Sequence, residues 1–491
     1  MIRHSFAAQT RKPFFLLAVI VCLFVALRLW HLTTYGLWYD EVFSHHAARM
    51  GWSELIAYLV ADAVHPPLFY LLLKLWIGVG GESLLWLKLL PVLISIASLF
   101  PFWLVCRELK LTPAEINTAL FLIAVNAFLI EYAQELRMYS LMVFFSLWSL
   151  WLFARLITRD DDRKEIFAGL FTANLLLTYT QYFGWLVVVA EGLYLLFRKR
   201  RYLFRFALIV VGLALCFAPW AYLVSHAAFA EPALLPHVRW LRPSLSDLGW
   251  YFATLNGPFY IRDTTSFGLG LFGFPLLLLA WHVWKGNWQS RVLPVYLLAF
   301  FAFAPVIFAL VVSCLLPWIW NGRYLIVGAV PYLILVAVAI HQLRPAWIKI
   351  LMLLIVTAWA GFSCVHRLSH DNDRFNWFAL ARYMSRTEPV GHRGVSVYAF
   401  ENFVADAIES ALVFLRDERF DVTIIKDVTV LRGDHFWVAF RDTTWKSDRL
   451  PQTFLRDSGC HVSQEMTVST HIPENVTVGE AVTVFPASCL P

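Results

Sequence analysis

Charged residues are scarce in this chain, where they make up 15% of 491 residues against 59% apolar residues. No soluble globular fold has an interior large enough to bury such a share of apolar side chains. Apolar runs of roughly 17 to 23 residues recur through the first ~365 positions, and each can cross about 30 Å of hydrocarbon as a helix. The scarcity of charge therefore predicts a polytopic membrane protein and excludes a soluble enzyme.

Long apolar runs are absent from the last part of the chain. Beyond Val365 charged residues become dense, and apolar stretches become short and alternating. We therefore predict two domains, a membrane domain over 1–365 and a small water-soluble domain over 366–491. The second is predicted to be α/β, with strands at 395–400, 436–440 and 481–485 and a helix around 406–416. It either binds an acceptor or envelope polymer or acts as a stabilising cap.

A convincing small-residue cleavage site is missing after the first apolar run, so this run is predicted to be a retained membrane helix rather than a signal peptide. About eleven spans are predicted in all. They lie at 13–30, 84–106, 116–130, 140–157, 166–180, 183–197, 206–224, 266–284, 292–312, 324–341 and 347–365.

The segment 66–80 is apolar but short, begins with two prolines and contains Lys74. Short cytoplasmic loops carry the excess of Lys and Arg, and nearly all basic clusters fall inside only if 66–80 does not cross the membrane. We therefore predict a surface helix at 66–80 within a long outer loop, 31–83. The protein is then a multi-pass inner-membrane protein with a cytoplasmic N-terminus and an extracytoplasmic tail. The predicted cytoplasmic loops are 107–115, 158–165, 198–205, 285–291 and 341–349.

The net charge of +6 does not indicate nucleic-acid binding, because the basic residues are scattered among loops beside apolar runs. They are topology signals, and no nucleic-acid partner is predicted. A Gly-rich phosphate-binding loop is also missing, so no nucleotide is predicted.

Cysteine is rare, with seven residues, of which five lie in or beside the predicted spans. Only Cys460 and Cys489 lie in the tail. An extracytoplasmic, oxidising compartment allows these two to form a disulfide, and two free thiols are the alternative.

Acidic residues are almost absent from the predicted spans and are concentrated in the outer loops. The first outer loop contains the adjacent carboxylates Asp40 and Glu41, followed by Asp62 and His65. One carboxylate of such a pair can take a proton from an acceptor while the other holds a metal ion or the sugar. The alternatives are a solvated acidic loop for the pair and a helix cap for Asp62.

Two arginines at the outer ends of spans run against the positive-inside trend. Arg137 follows Glu131 and Glu135 in the second outer loop, and Arg323 follows an aromatic segment. A guanidinium can grip a phosphate with two hydrogen bonds, and Tyr and Trp rings are typical of the membrane interface. A fixed phosphate on a lipid is one explanation, and for Arg137 an ion pair with Glu131 or Glu135 is the other.

These segments together resemble the superfamily of protein O-mannosyltransferases and aminoarabinose transferases, and most closely its bacterial branch of envelope galacturonosyl and mannosyl transferases. The likeness covers roughly residues 10–340 and is most specific in the first ~150. It rests on Arg28 with Leu37-Trp38-Tyr39-Asp40-Glu41, on His65-Pro66-Pro67-Leu68-Phe69-Tyr70, on Gln134-Glu135-Leu136-Arg137-Met138-Tyr139-Ser140 and on Gly322-Arg323-Tyr324-Leu325. It implies the GT-C membrane fold, with helices of the first outer loop at the membrane surface.

The resemblance implies a glycosyltransferase that uses a polyprenyl-phosphate-sugar donor and a glycan, lipid or protein acceptor. Asp40 would be the catalytic base, and Glu41 would support it or a divalent cation such as Mg²⁺ or Mn²⁺. Asp62 is a further candidate metal ligand. With Asp40 as base the reaction would be a single inverting displacement, without a covalent intermediate.

The same resemblance gives Arg137 and Arg323 the role of holding the donor phosphate, with Tyr139 in the motif of Arg137. His65 departs from the pattern, because some members have a lysine near the phosphate at this place. A neutral imidazole can hydrogen-bond phosphate or bind metal, and the alternative is a residue that starts a helix.

Two other functions fit parts of the sequence. A transporter or flippase of a lipid-linked sugar would have charged residues near the middle of its spans, where this chain has mainly Glu191. A membrane-anchored binding or assembly protein would use the tail as its working part. No linear motif names the sugar, because pocket shape sets it.

Overall fold

The computed structural model describes residues 3–34, 36–230, 243–258, 265–285, 292–315, 320–369, 376–425, 431, 433–441, 450–469 and 481–489. The chain forms two compact units. The helical unit consists of Met1–Trp30, Ala47–Trp76 and Leu89–Arg367, and the sheet unit consists of His31–His46, Ile77–Lys88 and Leu368–Pro491. The sheet unit thus adds two segments to the tail; the first lies in the predicted first outer loop, and the second runs from that loop into the predicted span 84–106.

Helices dominate the described part of the chain. Those up to the tail are α1 (Arg3–Leu29), α2 (Tyr39–Arg49), α3 (Trp52–Asp62), α4 (Leu68–Gly80), α5 (Leu84–Ala97), α6 (Leu99–Glu108), α7 (Pro113–Val125), α8 (Ala127–Gln134), α9 (Tyr139–Thr158), α10 (Lys164–Thr180), α11 (Gly184–Arg198), α12 (Leu203–Ala230), α13 (Leu245–Asn256), α14 (Thr265–Trp284), α15 (Val292–Leu315), α16 (Ala329–His341) and α17 (Ala346–Ser369). A 3₁₀ segment, Gly322–Gly328, leads directly into α16.

Each predicted span lies on helix, and the predicted surface segment 66–80 forms α4. Seven of the described helices or helix pairs are long and apolar enough to cross a membrane, or eight if the bent pair α7 and α8 is one span. The prediction of a polytopic helical membrane protein is confirmed, whereas the number of eleven spans and their orientation stay predictions. Most of the predicted loop 285–291 lies outside the described residues.

The predicted span 116–130 is not one straight helix, because α7 and α8 meet at a 58° bend. Asn126 occupies the break with an extended backbone, φ −67° and ψ 116°. Its side-chain oxygen accepts a hydrogen bond from the Leu129 amide at 3.0 Å, and its side-chain amide donates to the Leu255 carbonyl at 2.9 Å. The side chain therefore begins α8 as an N-cap and joins the break to α13.

Arg28 satisfies the carbonyl groups that the same break leaves at the end of α7. Its guanidinium donates to the carbonyl oxygens of Ile123 and Ala124, both at 3.3 Å, and to the Ser95 hydroxyl at 3.0 Å. The side chain is only 1% exposed. A cation at a helix C-terminus complements the free carbonyl groups and the helix dipole. Arg28 thus has a structural role within the predicted motif.

The tail forms the predicted α/β domain. Its strands are β1 (Val395–Ala399), β2 (Phe420–Ile424), β3 (Gly433–Arg441), β4 (His461–Val462), β5 (Met466–Ser469) and β6 (Ala481–Cys489), and its helices are α18 (Trp377–Thr387), α19 (Asn402–Phe414) and α20 (Pro451–Asp457). The strand order is β2-β1-β3-β6-β4, with β5 also paired to β6. β1 is parallel to β2 and β3, and the pairs that β6 makes are antiparallel.

The core of this domain follows from the alternation along its strands. In β1, residues at every second position are buried, and they pack with α18, α19 and the buried ring of Trp437. The predicted disulfide between Cys460 and Cys489 is confirmed, and it joins the start of β4 to the end of β6. The three predicted strands and the predicted helix are confirmed, as β1, β3, β6 and α19.

Candidate functional site

The turn between α3 and α4 holds a carboxylate against an imidazole. Ala63 ends α3 in the left-handed conformation, with φ 57°, which is uncommon for a residue other than glycine. Asp62 then accepts hydrogen bonds from the Val64 amide at 3.3 Å and from His65 Nδ1 at 2.8 Å. Asp62 is therefore not a cap on α4, because its carboxylate orients the ring of His65.

His65 connects this carboxylate to Arg137. The Arg137 Nη2 atom lies 2.7 Å from His65 Nε2, and the Tyr324 hydroxyl lies 3.3 Å from the same nitrogen. Since a guanidinium can only donate, Nε2 accepts and the ring proton is on Nδ1, which points to Asp62. Asp62 thus fixes the tautomer of His65 that accepts a hydrogen bond from Arg137.

Arg137 lies between α8 and α9 and is 1% exposed. Besides His65 it donates to the Tyr70 hydroxyl at 3.0 Å, and Tyr70 is itself buried in the first turn of α4. A guanidinium whose direction is fixed in a water-poor site acts on a bound anion without reorganising. Of the two acidic residues predicted as alternative partners of Arg137, Glu131 is paired with Arg367.

Tyr139 is the first residue of α9 and is fully buried. Its ring stacks on that of Tyr324 with centroids 6.1 Å apart, and it contacts the ring of Tyr132 at 4.6 Å. Its hydroxyl has no hydrogen-bond partner in the described part of the chain. A buried hydroxyl of this kind is available to a ligand that brings its own polar group.

Arg323 is half-buried at the start of the 3₁₀ segment, where its amide donates to the Asn321 side chain at 3.1 Å. Both Arg323 and Arg137 interact electrostatically with Tyr139. The structure therefore brings together all the residues that the sequence assigned to the donor phosphate. Tyr70 and Tyr324 complete the group; both stand in the quoted motifs, but no sequence signal gave them a role.

Asp40 and Glu41 belong to the sheet unit, in the first turn of α2. Glu41 is fully buried, and it accepts from the Trp38 amide at 3.1 Å and pairs with Lys88 at 3.1 Å. A glutamate at the third helical position that reaches back to the preceding amide is half of a capping box. Glu41 therefore positions the start of α2, next to Asp40.

Asp40 differs from its neighbour in being half-buried, and its carbonyl accepts a hydrogen bond from the Ser44 hydroxyl at 3.0 Å. The two neighbours therefore differ in burial: Asp40 is partly buried, whereas Glu41 is fully buried and paired with Lys88. Lys88 was not among the predicted site residues. The signal that could have found it is a lysine inside the predicted span 84–106, since ionisable residues in apolar runs are costly.

Two of the predicted metal ligands, Glu41 and Asp62, already have partners within the protein. The Glu41 carboxylate is occupied by Lys88 and by an amide, and Asp62 is bonded to His65. A lysine ammonium opposes a divalent cation at the same carboxylate. Two of the three predicted ligands are thus engaged by groups of the protein itself.

No protein-family model matches the chain, and no curated protein matches it in sequence. Solved structures do match. ArnT from Cupriavidus metallidurans in the apo state is 13% identical, with 97% of this chain and 98% of ArnT covered and a TM-score of 0.58. The same protein bound to undecaprenyl phosphate is 14% identical, with the same coverage and a TM-score of 0.57.

A second matching protein is the archaeal oligosaccharyltransferase AglB from Archaeoglobus fulgidus, in complex with an inhibitory peptide and a dolichol-phosphate. It is 13% identical, with 84% of this chain and 64% of AglB covered and a TM-score of 0.52. At these identities the likeness concerns the fold. Since ArnT matches along nearly the whole of this chain, its tail included, the chain has the GT-C fold that its motifs predicted.

Proposed function

We propose that this protein is an integral-membrane glycosyltransferase. It moves a sugar from a polyprenyl-phosphate-sugar donor to an acceptor hydroxyl or amine on the outer side of the cytoplasmic membrane. Two observations from relatives support the donor class. ArnT has the same fold and was crystallised with undecaprenyl phosphate, and AglB was crystallised with a dolichol-phosphate. Both ligands are lipid phosphates.

The observation that carries the proposal is the cluster of Asp62, His65, Arg137 and Tyr70, in which Asp62 is partly exposed and the other three residues are buried. It holds one guanidinium in a fixed direction through two hydrogen bonds, at 2.7 Å and 3.0 Å. In the reaction the bond between the anomeric carbon and the phosphate oxygen breaks, and the phosphate gains negative charge. Arg137 stabilises this charge as it develops, and electrostatic stabilisation by such preorganised groups usually contributes most to catalysis.

Asp40 is the proposed general base. It accepts the proton of the acceptor hydroxyl or amine while the acceptor attacks the anomeric carbon from the face opposite the phosphate. The proton ends on Asp40, the lipid phosphate leaves, and the sugar is transferred in one step with inversion. Glu41 supports this step by holding the first turn of α2 through Trp38 and Lys88.

No step in this mechanism passes through a metal ion, because Glu41 and Asp62, which were predicted to bind one, are engaged by Lys88 and His65. Arg137 and Arg323 are proposed to supply the positive charge at the phosphate instead. The proposed topology places the N-terminus in the cytoplasm and the tail outside.

Two experiments test the proposal. Mass spectrometry of the envelope glycans of a deletion strain should show one missing sugar residue, whose mass names the sugar and whose position names the acceptor. The purified protein in liposomes should then transfer that sugar from its polyprenyl-phosphate form, and NMR should show an inverted anomeric configuration. A retained configuration would exclude the one-step mechanism, and unchanged glycans together with no transfer in liposomes would exclude the function.

A further inference from the structure

Three metal-ligating side chains converge in the tail, among residues that the proposed reaction does not use. Glu388 follows α18 directly, His392 lies in the loop before β1, and His435 is on β3. His392 Nδ1 lies 2.6 Å from one carboxylate oxygen of Glu388, and His435 Nε2 lies 2.8 Å from the other. One ligand atom from each residue lies within 4.8 Å of those of the other two.

The carboxylate at the centre of this group is buried and held from several sides. Its side chain is 0% exposed, whereas those of His392 and His435 are 49% and 35% exposed. The Trp437 indole donates a hydrogen bond to the Glu388 carboxylate at 2.7 Å. Burial alone raises the pKa of Glu388, but hydrogen bonds from Trp437, His435 and His392 outweigh it and keep this pKa below its ordinary value.

Arg419 fixes the backbone that carries this carboxylate. Its guanidinium donates to the carbonyl oxygens of Glu388 at 3.0 Å and of Ser385 at 2.8 Å, and it is itself paired with Asp417 at 2.7 Å. The amide of His392 is bonded to the Pro389 carbonyl at 3.1 Å, which closes a turn. Glu388 and His392 therefore lie in one turn with a fixed backbone, and His435 joins them from β3.

We propose that Glu388, His392 and His435 form a Zn²⁺ site with one coordination position open to solvent. Two imidazole nitrogens and one carboxylate are a ligand set that zinc uses, with water or another ligand in the fourth position. Mg²⁺ and Ca²⁺ prefer oxygen ligands, so two imidazoles select against them. The indole of Trp437 orients the carboxylate as an outer-sphere partner.

The present distances between the ligand atoms differ from those around tetrahedral zinc, so the histidines must move when the ion binds. Tetrahedral zinc holds its nitrogen and oxygen ligands roughly 3.3 Å apart. The contacts at 2.6 Å and 2.8 Å, which involve different oxygens of Glu388, are shorter than this by about half an ångström or more. The other ligand atoms of the group lie within 4.8 Å and must approach by up to about 1.5 Å. The two partly exposed imidazoles can move by this amount while the buried carboxylate stays in place.

The test is zinc binding by the purified full-length protein in detergent. The protein is stripped with a chelator, titrated with ZnCl₂ in competition with a chromophoric chelator, and its metal content after gel filtration is measured by mass spectrometry. His392→Ala and His435→Ala are the test variants, and His461→Ala on β4 is the matched control, because that histidine is exposed and lies outside the cluster. Asp40→Asn is a second control, which shows whether the bound zinc ion lies at the proposed catalytic residue instead of in the cluster.

The proposal predicts one zinc ion per chain in the wild type, His461→Ala and Asp40→Asn proteins, and an affinity at least about 100-fold lower in each test variant. Thermal melts without zinc show whether each variant is folded. Wild-type protein without bound zinc would overturn the proposal, as would folded test variants that keep zinc or a zinc ion lost only from Asp40→Asn. Because the readout is metal binding, a failed zinc site is distinguishable from a failed glycosyltransferase.

Discussion

The helical unit and the sheet unit each contain a cluster of acid and histidine, but the two clusters present charges of opposite sign. In the helical unit His65 lies between Asp62 and Arg137, and the buried group at the end of the hydrogen-bond chain is a cation. In the sheet unit Glu388 lies between two histidines, and the buried group at the centre is an anion. Both clusters thus contain an acid and a histidine, but the third member is an arginine in one and a second histidine in the other.

The ligand proposed for each cluster therefore follows from the third member and from the hydrogen bonds that it makes with the acid and histidine. A histidine whose two nitrogens join an acid and an arginine has no nitrogen left for a metal, and it positions the arginine for an anion. A carboxylate whose two oxygens each contact an imidazole gathers three metal-ligating atoms. Binding of the same ligand by both clusters would contradict this difference.

Arg137→Gln should have the largest effect among the residues of the two clusters. It removes the buried cation while keeping two hydrogen-bond donors, so transfer from the polyprenyl-phosphate donor should fall about 10²- to 10³-fold. The measurement is kcat/KM in liposomes. Arg163→Gln is the control, because Arg163 is exposed and its partner Asp161 retains a second ion pair with Arg155 in the variant. Equal rates for both variants would contradict the role of Arg137.

Asp62→Asn should have the next largest effect on the helical cluster. Asparagine can still accept from His65, but it loses the charge that favours the Nδ1 proton, so undecaprenyl phosphate should bind about 10-fold more weakly. Binding is measured by native mass spectrometry, with Asp160→Asn in an exposed loop as the control. Unchanged affinity would show that the charge of Asp62 does not set the tautomer on which binding depends.

Trp437→Phe should have a similar or smaller effect on the sheet cluster. It removes the indole hydrogen bond to Glu388 and keeps an aromatic ring in the core, so zinc affinity should fall about 10-fold. Chelator competition measures it, and a thermal melt reports any loss of packing. If the variant stays folded with unchanged zinc affinity, the indole is not an outer-sphere partner.

Adding Mg²⁺ or Mn²⁺ should have the smallest effect. After treatment with EDTA, either ion should leave the rate of sugar transfer unchanged, because Lys88 and His65 already engage the carboxylates of Glu41 and Asp62. Transfer that EDTA stops and Mg²⁺ restores would reinstate the metal role predicted from the motifs. Transfer that only Zn²⁺ restores would assign a role to the sheet cluster instead.

Apolar run length predicted where the helices lie, but it did not predict their breaks. Asn126 is a single polar residue in an apolar stretch, so hydropathy does not distinguish a capped break there from an uninterrupted helix. Helix α13 and strands β2, β4 and β5 were also missed, because they are too short or too mixed in composition to stand out. Pairing with long-range neighbours, rather than local pattern, stabilises them.

The motifs predicted the four residues assigned to the donor phosphate, which lie together in the structure, but not the partners of the candidate site residues. His65 and Tyr324 are 259 positions apart, and Glu41 and Lys88 are 47 apart, and the sequence holds no signal that joins either pair. The different roles proposed for Asp40 and Glu41 likewise rest on their different burial, which depends on the fold. The sheet cluster was not predicted from the sequence, because His435 lies on a strand 47 positions beyond Glu388 and no linear motif joins the two residues.

The most direct test of the central claim is sugar transfer by Asp40→Asn compared with wild type in the same liposomes. The asparagine keeps the shape of the side chain but cannot take the acceptor proton. We predict that the variant binds undecaprenyl phosphate with wild-type affinity, while its transfer rate falls about 10²- to 10⁴-fold. A folded variant that transfers sugar at the wild-type rate would contradict the claim that Asp40 is the base.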